Sequence, residues 1–243
     1  MSTLTTADST DVQTAASVAS YHLQDRLAEA ACYAVLRRIA PVLRHDVAGL
    51  MQPVGMLMMV LQRRVQMPEP DLPAIVKNVA SVSIMTKEAT TGCMNAMGWM
   101  ASRDDTGVSL RSSVDEAAKL LAMELSACGL GIANGISDDA PAVPQSFFRN
   151  VLVGALLAFC DQRTPGGTLQ ATLEVEDGNS HGVATRLMLR MLHDQATRLP
   201  ESPASERKSR GIDWADVEAM ARSFGASMSR GEGWLSLDLP QAG

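Results

Sequence analysis

Two neighbouring residues in the first half of the chain, His45 and Asp46, have the chemistry of a phosphoryl acceptor. A solvent-exposed imidazole is partly neutral at pH 7, and its neutral nitrogen is a competent nucleophile toward phosphorus. The adjacent carboxylate can accept a hydrogen bond from one ring nitrogen, which leaves the lone pair of the other nitrogen pointing outward. Arg44 could help hold the phosphoryl group. The same dipeptide also fits an ordinary surface histidine beside a solvated aspartate, so its place in the fold decides between the two interpretations.

A second pair of the same type, His193 and Asp194, raises the alternative of a metal-dependent phosphohydrolase with paired His-Asp ligands. Such a site needs further His and Asp ligands, and the chain has four histidines in all. The other two, His22 and His181, have no partner at ligand spacing and are predicted to be surface residues. The cysteines are far apart and form no C-x-x-C motif, so we expect small buried thiols and no metal site. They are Cys32, Cys93, Cys128 and Cys160.

The composition narrows the class of protein. A hydrophobic content of 46% is that of a globular chain. The net charge of −6 argues against a general nucleic-acid binder, which needs a basic surface, and against an anionic membrane surface. The longest apolar stretches, residues 50–61 and 151–160, fall short of the roughly 18 apolar residues that a membrane span needs. With no signal peptide visible at the N-terminus, the sequence predicts a cytoplasmic protein.

A helical hairpin is predicted over residues 20–101, after a disordered N-terminus at residues 1–19. Apolar residues after His45 recur in alternating steps of three and four, which indicates a helix seam. They are Val47, Leu50, Met51, Val54, Leu57, Met58, Leu61 and Val65. Three prolines in the segment MPEPDLP, residues 67–73, predict a turn. The second helix has a matching predicted seam at Ile75, Val79, Val82, Thr86, Ala89, Cys93, Ala96 and Met100.

This pattern places His45 opposite the seam. With Val47 at position a of the heptad, His45 falls at position f, which faces solvent. Pro41 and Pro53 are expected to bend or interrupt the first helix. One hairpin has a single partner for its seam, so a homodimeric four-helix bundle is the predicted completion.

After a polar linker the spacing of the apolar residues changes from that of the helix seam, and residues 108–243 are predicted to form an α+β domain. A short strand leads into a helix that starts at Ser112 or Ser113, then a strand, and then an apolar helix over residues 144–162. Two alternating segments, residues 168–176 and 183–192, predict a hairpin. A last helix over residues 212–224 precedes a second hairpin. Helices on one face of a mixed sheet would give an α/β sandwich.

Three segments, in this order, resemble the core of bacterial sensor histidine kinases. The first, LRHDVAGLMQPV, is similar to the phosphoacceptor motif of histidine, acid and later proline. The second, FRNVLVGALLAFCDQRTPGG, is similar to the kinase segment of apolar helix, asparagines and Pro/Gly-Gly turn. The third runs from Arg210 to Pro240 and is similar to the terminal helix and β-hairpin that end in Leu-Pro. The resemblance implies a dimerisation and phosphoacceptor hairpin followed by an ATPase-type domain of residues 108–243.

The departures from this family imply a degenerate ATP site. The magnesium-binding asparagines of the family correspond to Gly154 and Ala158, whose side chains bind neither metal nor phosphate. The adenine-reading motif keeps Asp194 but loses its glycines. The glycine-rich lid that covers the phosphates in the family is reduced here to Arg210-Gly211. The prediction is that ATP is not a cofactor of this chain and that it holds no metal.

The family often has Thr or Asn four residues after the histidine, where it helps to dephosphorylate the partner. This sequence has Gly49 at that place, so the resemblance gives no basis for predicting phosphatase activity.

With these departures, the chain looks like the histidine phosphotransferases that are built from degenerate kinase cores. This resemblance implies that His45 exchanges phosphoryl groups with response-regulator receiver domains, which supply the magnesium. A sensor hybrid kinase is a further candidate partner. Two alternatives remain open at this point: a non-catalytic dimeric adaptor of a two-component system, and a divergent histidine kinase that still binds ATP.

Overall fold

The computed structural model describes residues 7–100, 106–162, 167–178, 182–192 and 210–240. It divides the chain into two compact units. One consists of residues 36–103 and the other of residues 1–35 together with 104–243. In this division the residues up to Val35 group with the α/β unit, whereas the sequence prediction began the hairpin domain at residue 20.

Helix α1 runs from Ala7 to Val65 and helix α2 from Leu72 to Gly98. Disorder was predicted over residues 1–19, but α1 already begins at Ala7. Once the later turns of a helix are formed, each preceding residue adds one backbone hydrogen bond at little further cost. The aspartate at residue 71 caps α2, since its carboxylate accepts a hydrogen bond from the backbone N–H of Ala74 at 3.1 Å.

Neither proline ends α1. Pro41 and Pro53 both lie inside the helix and are exposed. Each removes one helical hydrogen bond and leaves the carbonyl group four residues earlier without its usual donor. At an exposed position water can solvate that carbonyl, which lowers the cost of keeping the helix continuous.

The hairpin of residues 36–103 has a seam of half-buried side chains on each helix. On α1 these residues are Leu43, Val47, Leu50, Val54, Leu57 and Leu61. On α2 they are Ile75, Asn78, Val82, Met85, Ala89, Gly92, Ala96 and Trp99, of which Ala89 is fully buried. Both sets follow the predicted steps of three and four.

Half of the predicted α2 seam was displaced by one residue. The sequence predicted Val79 and Met100 in the seam, and both are exposed. Close approach at Gly92 explains the difference, because a Cβ atom there would lie 2.1 Å from Cδ1 of Leu50. The Leu50 side chain thus fills the space that Gly92 leaves, and this fit sets which line of α2 faces α1.

The described residues of the α/β unit form a two-stranded and a five-stranded sheet. The strands are β1 (Gly107–Ser109), β2 (Leu130–Asn134), β3 (Ala142–Pro144), β4 (Gly167–Gly178), β5 (Gly182–Leu192), β6 (Met228–Gly231) and β7 (Trp234–Asp238). The larger sheet has the order β2-β4-β5-β7-β6, with β2 parallel to β4 and the other pairs antiparallel. Strand β1 pairs with β3. The sequence prediction missed β3, because a three-residue strand shows no period.

The helices of this unit are α3 (Leu110–Leu120), α4 (Ala122–Ala127), α5 (Gln145–Phe147), α6 (Val153–Asp161) and α7 (Trp214–Ser223), with a π-helical turn at Phe148–Leu152 between α5 and α6. Helix α3 begins before the predicted serines because Ser109 caps it. The buried residues alternate along β4, whereas on β5 and β7 Met188 and Ser236 are buried between the leucines that face the core. The buried residues of the sheet include Leu169, Ala171, Leu187, Leu189, Leu235 and Leu237. Helical hairpin and mixed α/β sheet together confirm the predicted fold class.

Candidate functional site

His45 lies on α1, on the side of the helix away from the seam. Its side chain is 88% exposed and that of Asp46 is 63% exposed. Nδ1 of His45 lies 3.4 Å from Oδ1 of Asp46, at the long end of the hydrogen-bond range. His45 is exposed at position f, as the seam predicted, and Asp46 follows it at position g.

This geometry leaves one ring nitrogen available for chemistry. When Nδ1 carries the proton and donates to the carboxylate, Nε2 holds the lone pair on the opposite edge of the ring. The exposed imidazole is open to a phosphoryl group from the solvent side. Arg44 is also exposed and, within the described residues, forms no ion pair with Asp46. Its long side chain is therefore not committed to that carboxylate.

The outer face of α1 beyond His45 is open and partly without side chains. A Cβ atom added at Gly49 or Gly55 would meet nothing within 4 Å. Met56 and Met59 on the same stretch are 64% and 59% exposed. Bare backbone next to flexible thioether side chains makes a surface that can adapt to a partner.

Charge is divided unequally between the two units. Residues 36–103 contain eight Lys and Arg against four Asp and Glu, a net charge of +4 within a chain of −6. The hairpin that carries His45 is therefore basic, and the rest of the chain carries −10. A basic hairpin favours the approach of an anionic partner or phosphoryl group.

One flank of the hairpin is apolar and exposed. Heptad geometry puts the e positions of two antiparallel helices on the same side. After Arg44, the e positions of α1 hold the exposed residues Met51, Met58 and Val65. On α2 they hold the exposed residues Leu72, Val79 and Thr86 and the half-buried Cys93. The g positions on the opposite flank include Asp46, Ser81, Glu88 and Asn95. The e flank is therefore mainly apolar from Met51 onward, whereas the g flank is mixed, since it also holds the exposed Val60.

The α/β unit is closed at the positions where the resemblance places magnesium ligands. Gly154 is buried and Ala158 has no exposed surface. A Cβ atom at Gly154 would lie 2.5 Å from Cε of Met220 and 3.4 Å from Cγ2 of Val35. Side chains of α7 and α1 thus occupy the space beside Gly154. The predicted third member of this group, Asp194, lies outside the described residues, as do His181 and His193.

Two carboxylates bind the segment around Gly211, which is the remnant of the lid. Arg210 donates two hydrogen bonds to Asp216, at 2.9 and 2.7 Å, and the pKa of Arg210 is raised by that contact. Asp161 accepts a hydrogen bond from the backbone N–H of Ile212 at 2.8 Å. Asp213 and Asp216 also form a capping box at the start of α7. The segment is anchored on both sides of Gly211.

Sequence reasoning missed Met220, Asp161 and Asn150. The amide of Asn150 donates to the carbonyl of Ser146 at 2.8 Å, so its side chain serves the local backbone. Nothing in the sequence distinguishes Met220 from the other methionines of the chain. Its role comes from packing against a glycine that lies 66 positions away in the sequence.

No described helix is both long and apolar enough to cross a membrane. No family model matches the chain, and no curated protein matches it.

Solved structures of histidine kinases are similar to this chain at low identity. The histidine kinase AdeS of Acinetobacter baumannii is 12% identical over 82% of this chain and 98% of that chain, with a TM-score of 0.40. A histidine kinase of Burkholderia phymatum is 16% identical over 85% of this chain and 99% of that chain, with a TM-score of 0.36. Full-length ShkA, solved with AMPPNP, is 15% identical over 85% of this chain and 46% of that chain, with a TM-score of 0.38.

Proposed function

We propose that this protein is a histidine phosphotransferase of a two-component phosphorelay, which passes phosphoryl groups between receiver domains through His45. The observation that carries the proposal is the pairing of an exposed imidazole with Asp46 on a basic helical hairpin. Such an imidazole is open to a group that another protein presents. A receiver domain that carries an aspartyl phosphate is such a partner.

The reaction needs few groups from this chain. The Nε2 lone pair attacks the phosphorus of the aspartyl phosphate, the P–N bond forms, and the P–O bond to the aspartyl carboxylate breaks. Positive charge develops on the ring, and Asp46 stabilises it through Nδ1–H. Transfer to a second receiver reverses these steps. Arg44 contacts the phosphoryl oxygens, and the receiver holds the magnesium ion.

Two features of the α/β unit support the proposal that the phosphoryl group comes from a source other than ATP. At Gly154 and Ala158 there is no metal-binding side chain, and Met220 and Val35 pack beside Gly154. The segment after Arg210 is anchored to Asp161 and Asp216. In this proposal the unit is a folded support and contributes no cofactor.

A homodimer completes the proposed assembly. The apolar e positions of both helices lie on one exposed flank, as described above, and clustered exposed apolar residues are typical of an interface. Two copies that join through this flank form a four-helix bundle and leave position f, with His45, on the outside. The receiver then docks on the outer face next to His45, over Gly49, Met56 and Met59.

The direct test is transfer from receiver domains that have been phosphorylated with a small-molecule phosphodonor. The wild-type chain is expected to gain acid-labile, base-stable phosphate, and His45→Gln to lose it by at least a hundredfold. His22→Gln is the matched control, because His22 is also an exposed histidine on α1. Equal labelling of the His45→Gln protein would end the proposal.

Two further outcomes separate the alternatives. A chain that binds receivers but never acquires label is an adaptor. Micromolar binding of Mg-ATP, followed by labelling of His45 without any receiver, identifies a kinase.

A further inference from the structure

The fold brings two of the four cysteines together. Cys128 caps the C-terminus of α4, and Cys160 lies in the last turn of α6. They are 32 positions apart in the sequence, and the thiol of Cys128 donates to the carbonyl oxygen of Cys160 at 3.7 Å. The Cys128 sulfur therefore lies directly beside the backbone of Cys160.

The two thiols differ in access. Cys160 is buried, and desolvation is the main reason that its pKa is raised, with the nearby Cys128 adding to the effect. Cys128 is half-buried and can be reached from solvent. A buried thiol that stays protonated is a poor target for oxidants, so attack is expected at Cys128 first.

Cys32 and Cys93 lack this arrangement. Cys32 lies on α1 in the α/β unit, and burial raises its pKa to about 11. Cys93 lies on α2 in the hairpin and is half-buried. All four cysteines are among the described residues, and neither of these two contacts another cysteine. They are internal controls for any reaction that needs a pair.

We propose that Cys128 and Cys160 form an oxidisable dithiol, which a peroxide converts to a disulfide between α4 and α6. Hydrogen peroxide oxidises the Cys128 thiol to a sulfenic acid. In this step the O–O bond of the peroxide breaks, and one water leaves. The Cys160 sulfur, after giving up its proton, attacks the Cys128 sulfur. The S–S bond forms, the S–O bond breaks, and the departing hydroxide takes the proton as a second water. Held proximity compensates for the low fraction of Cys160 thiolate.

The disulfide would form next to the anchored lid remnant. Cys160 precedes Asp161, which holds the backbone of Ile212. Cross-linking α4 to α6 closes a loop of about 30 residues in the unfolded chain, so the oxidised α/β unit should unfold at a higher temperature than the reduced one.

The test is peroxide treatment of the full chain, followed by unfolding, thiol alkylation and peptide mass analysis. We expect two alkylated thiols, Cys32 and Cys93, and a linked pair of peptides that contain Cys128 and Cys160, with a mass loss of about 2 Da for two hydrogens. Cys93→Ser should keep the linked pair. Cys128→Ser should lose it and leave Cys160 alkylated.

Three results would overturn the proposal. The first is oxidation of Cys128 to a sulfinic acid while Cys160 is still alkylated. The second is a disulfide that joins Cys32 or Cys93 in equal yield, and the third is one that joins two chains. Cys128→Ser changes a half-buried residue, so the comparison does not depend on a core substitution.

Discussion

Exposed glycines and apolar residues of the helical hairpin have packed counterparts in the α/β unit. In the hairpin, Gly49 and Gly55 face open space and methionines line exposed surfaces. In the α/β unit, Gly154 packs against Met220 and Val35, and every residue from Val151 to Cys160 is buried. The difference shows that a glycine in place of a functional residue has two structural meanings. One leaves a site open to a partner, and the other lets a neighbour close it.

The same comparison separates the roles of the two units in the proposed function. The hairpin keeps its reactive imidazole, its basic charge and an apolar flank at the surface, where other chains can use them. The α/β unit uses its apolar residues for its own core. Variants that place a charge or a side chain into either region therefore test whether this division is real.

The largest effect is expected at the apolar flank of the hairpin. Met58→Glu places one carboxylate per chain at an e position that the proposed dimer buries, so dissociation should increase by at least a hundredfold. Sedimentation analysis over a concentration series measures it. Met59→Glu, one residue further along at position f, is the control and should stay dimeric. Equal behaviour of the two variants would contradict the assigned flank.

The next effect is expected at the closed glycine. Gly154→Asn should lower the free energy of unfolding by about 2–4 kcal/mol, because the side chain must displace Met220 and bury an amide. Urea unfolding of the variant measures the loss. Gly55→Asn puts the same side chain into open space on α1 and should change the free energy by less than about 0.5 kcal/mol. A neutral Gly154→Asn would mean that the site is open after all.

A smaller change in the free energy of unfolding, opposite in sign to that of Gly154→Asn, is expected at an open glycine of the hairpin. Gly55→Ala should raise the free energy of unfolding by about 0.5–1 kcal/mol, because alanine restricts the unfolded chain and its methyl group meets nothing. Gly92→Ala should instead destabilise, since the new methyl group would lie within 2.1 Å of Leu50 Cδ1. Thermal unfolding of both variants sharpens the contrast between an open and a packed helical glycine.

The smallest effect concerns pH and lies in the α/β unit. Burial raises the pKa of Asp238, but hydrogen bonds from Ser227 and Arg186, with the Arg186 charge, outweigh it and hold the pKa below its usual value. This pair therefore stabilises the fold above the unfolded-state pKa of about 3.9, and the contribution disappears as the pH falls through the lower folded-state pKa.

Both partners of this pair are more than a third exposed, so screening keeps the contribution near about 0.5 kcal/mol. Urea midpoints between pH 5 and pH 2.5 should fall less steeply for Asp238→Asn than for wild type. Parallel curves would show that this ion pair does not affect stability.

The sequence was sufficient for patterns that repeat along one element. The steps of three and four gave both helices of the hairpin, and the exposure of His45 followed from its heptad position. Alternation and turn residues gave the β4–β5 and β6–β7 hairpins, and the last helix was predicted to stop at residue 224, just before Gly225 with its φ of 70°. These features depend on local geometry, which the chain carries in its own order.

Features that depend on two distant segments were missed or misplaced. The one-residue shift of the α2 seam arises from the fit of Leu50 over Gly92, and the pairing of β1 with β3 has no periodic signal. The closure at Gly154 by Met220 and Val35, and the meeting of Cys128 with Cys160, join residues that no spacing rule connects.

By itself, the sequence determined a helical hairpin with an outward His45-Asp46 pair and an α/β unit whose expected metal-binding side chains are absent. Only the tertiary structure decided what fills the space beside Gly154, which flank of the hairpin stays apolar and exposed, and which thiols meet. The physical reason is that side-chain period is a property of one element, whereas packing depends on the shapes of two surfaces that come together only in the folded chain.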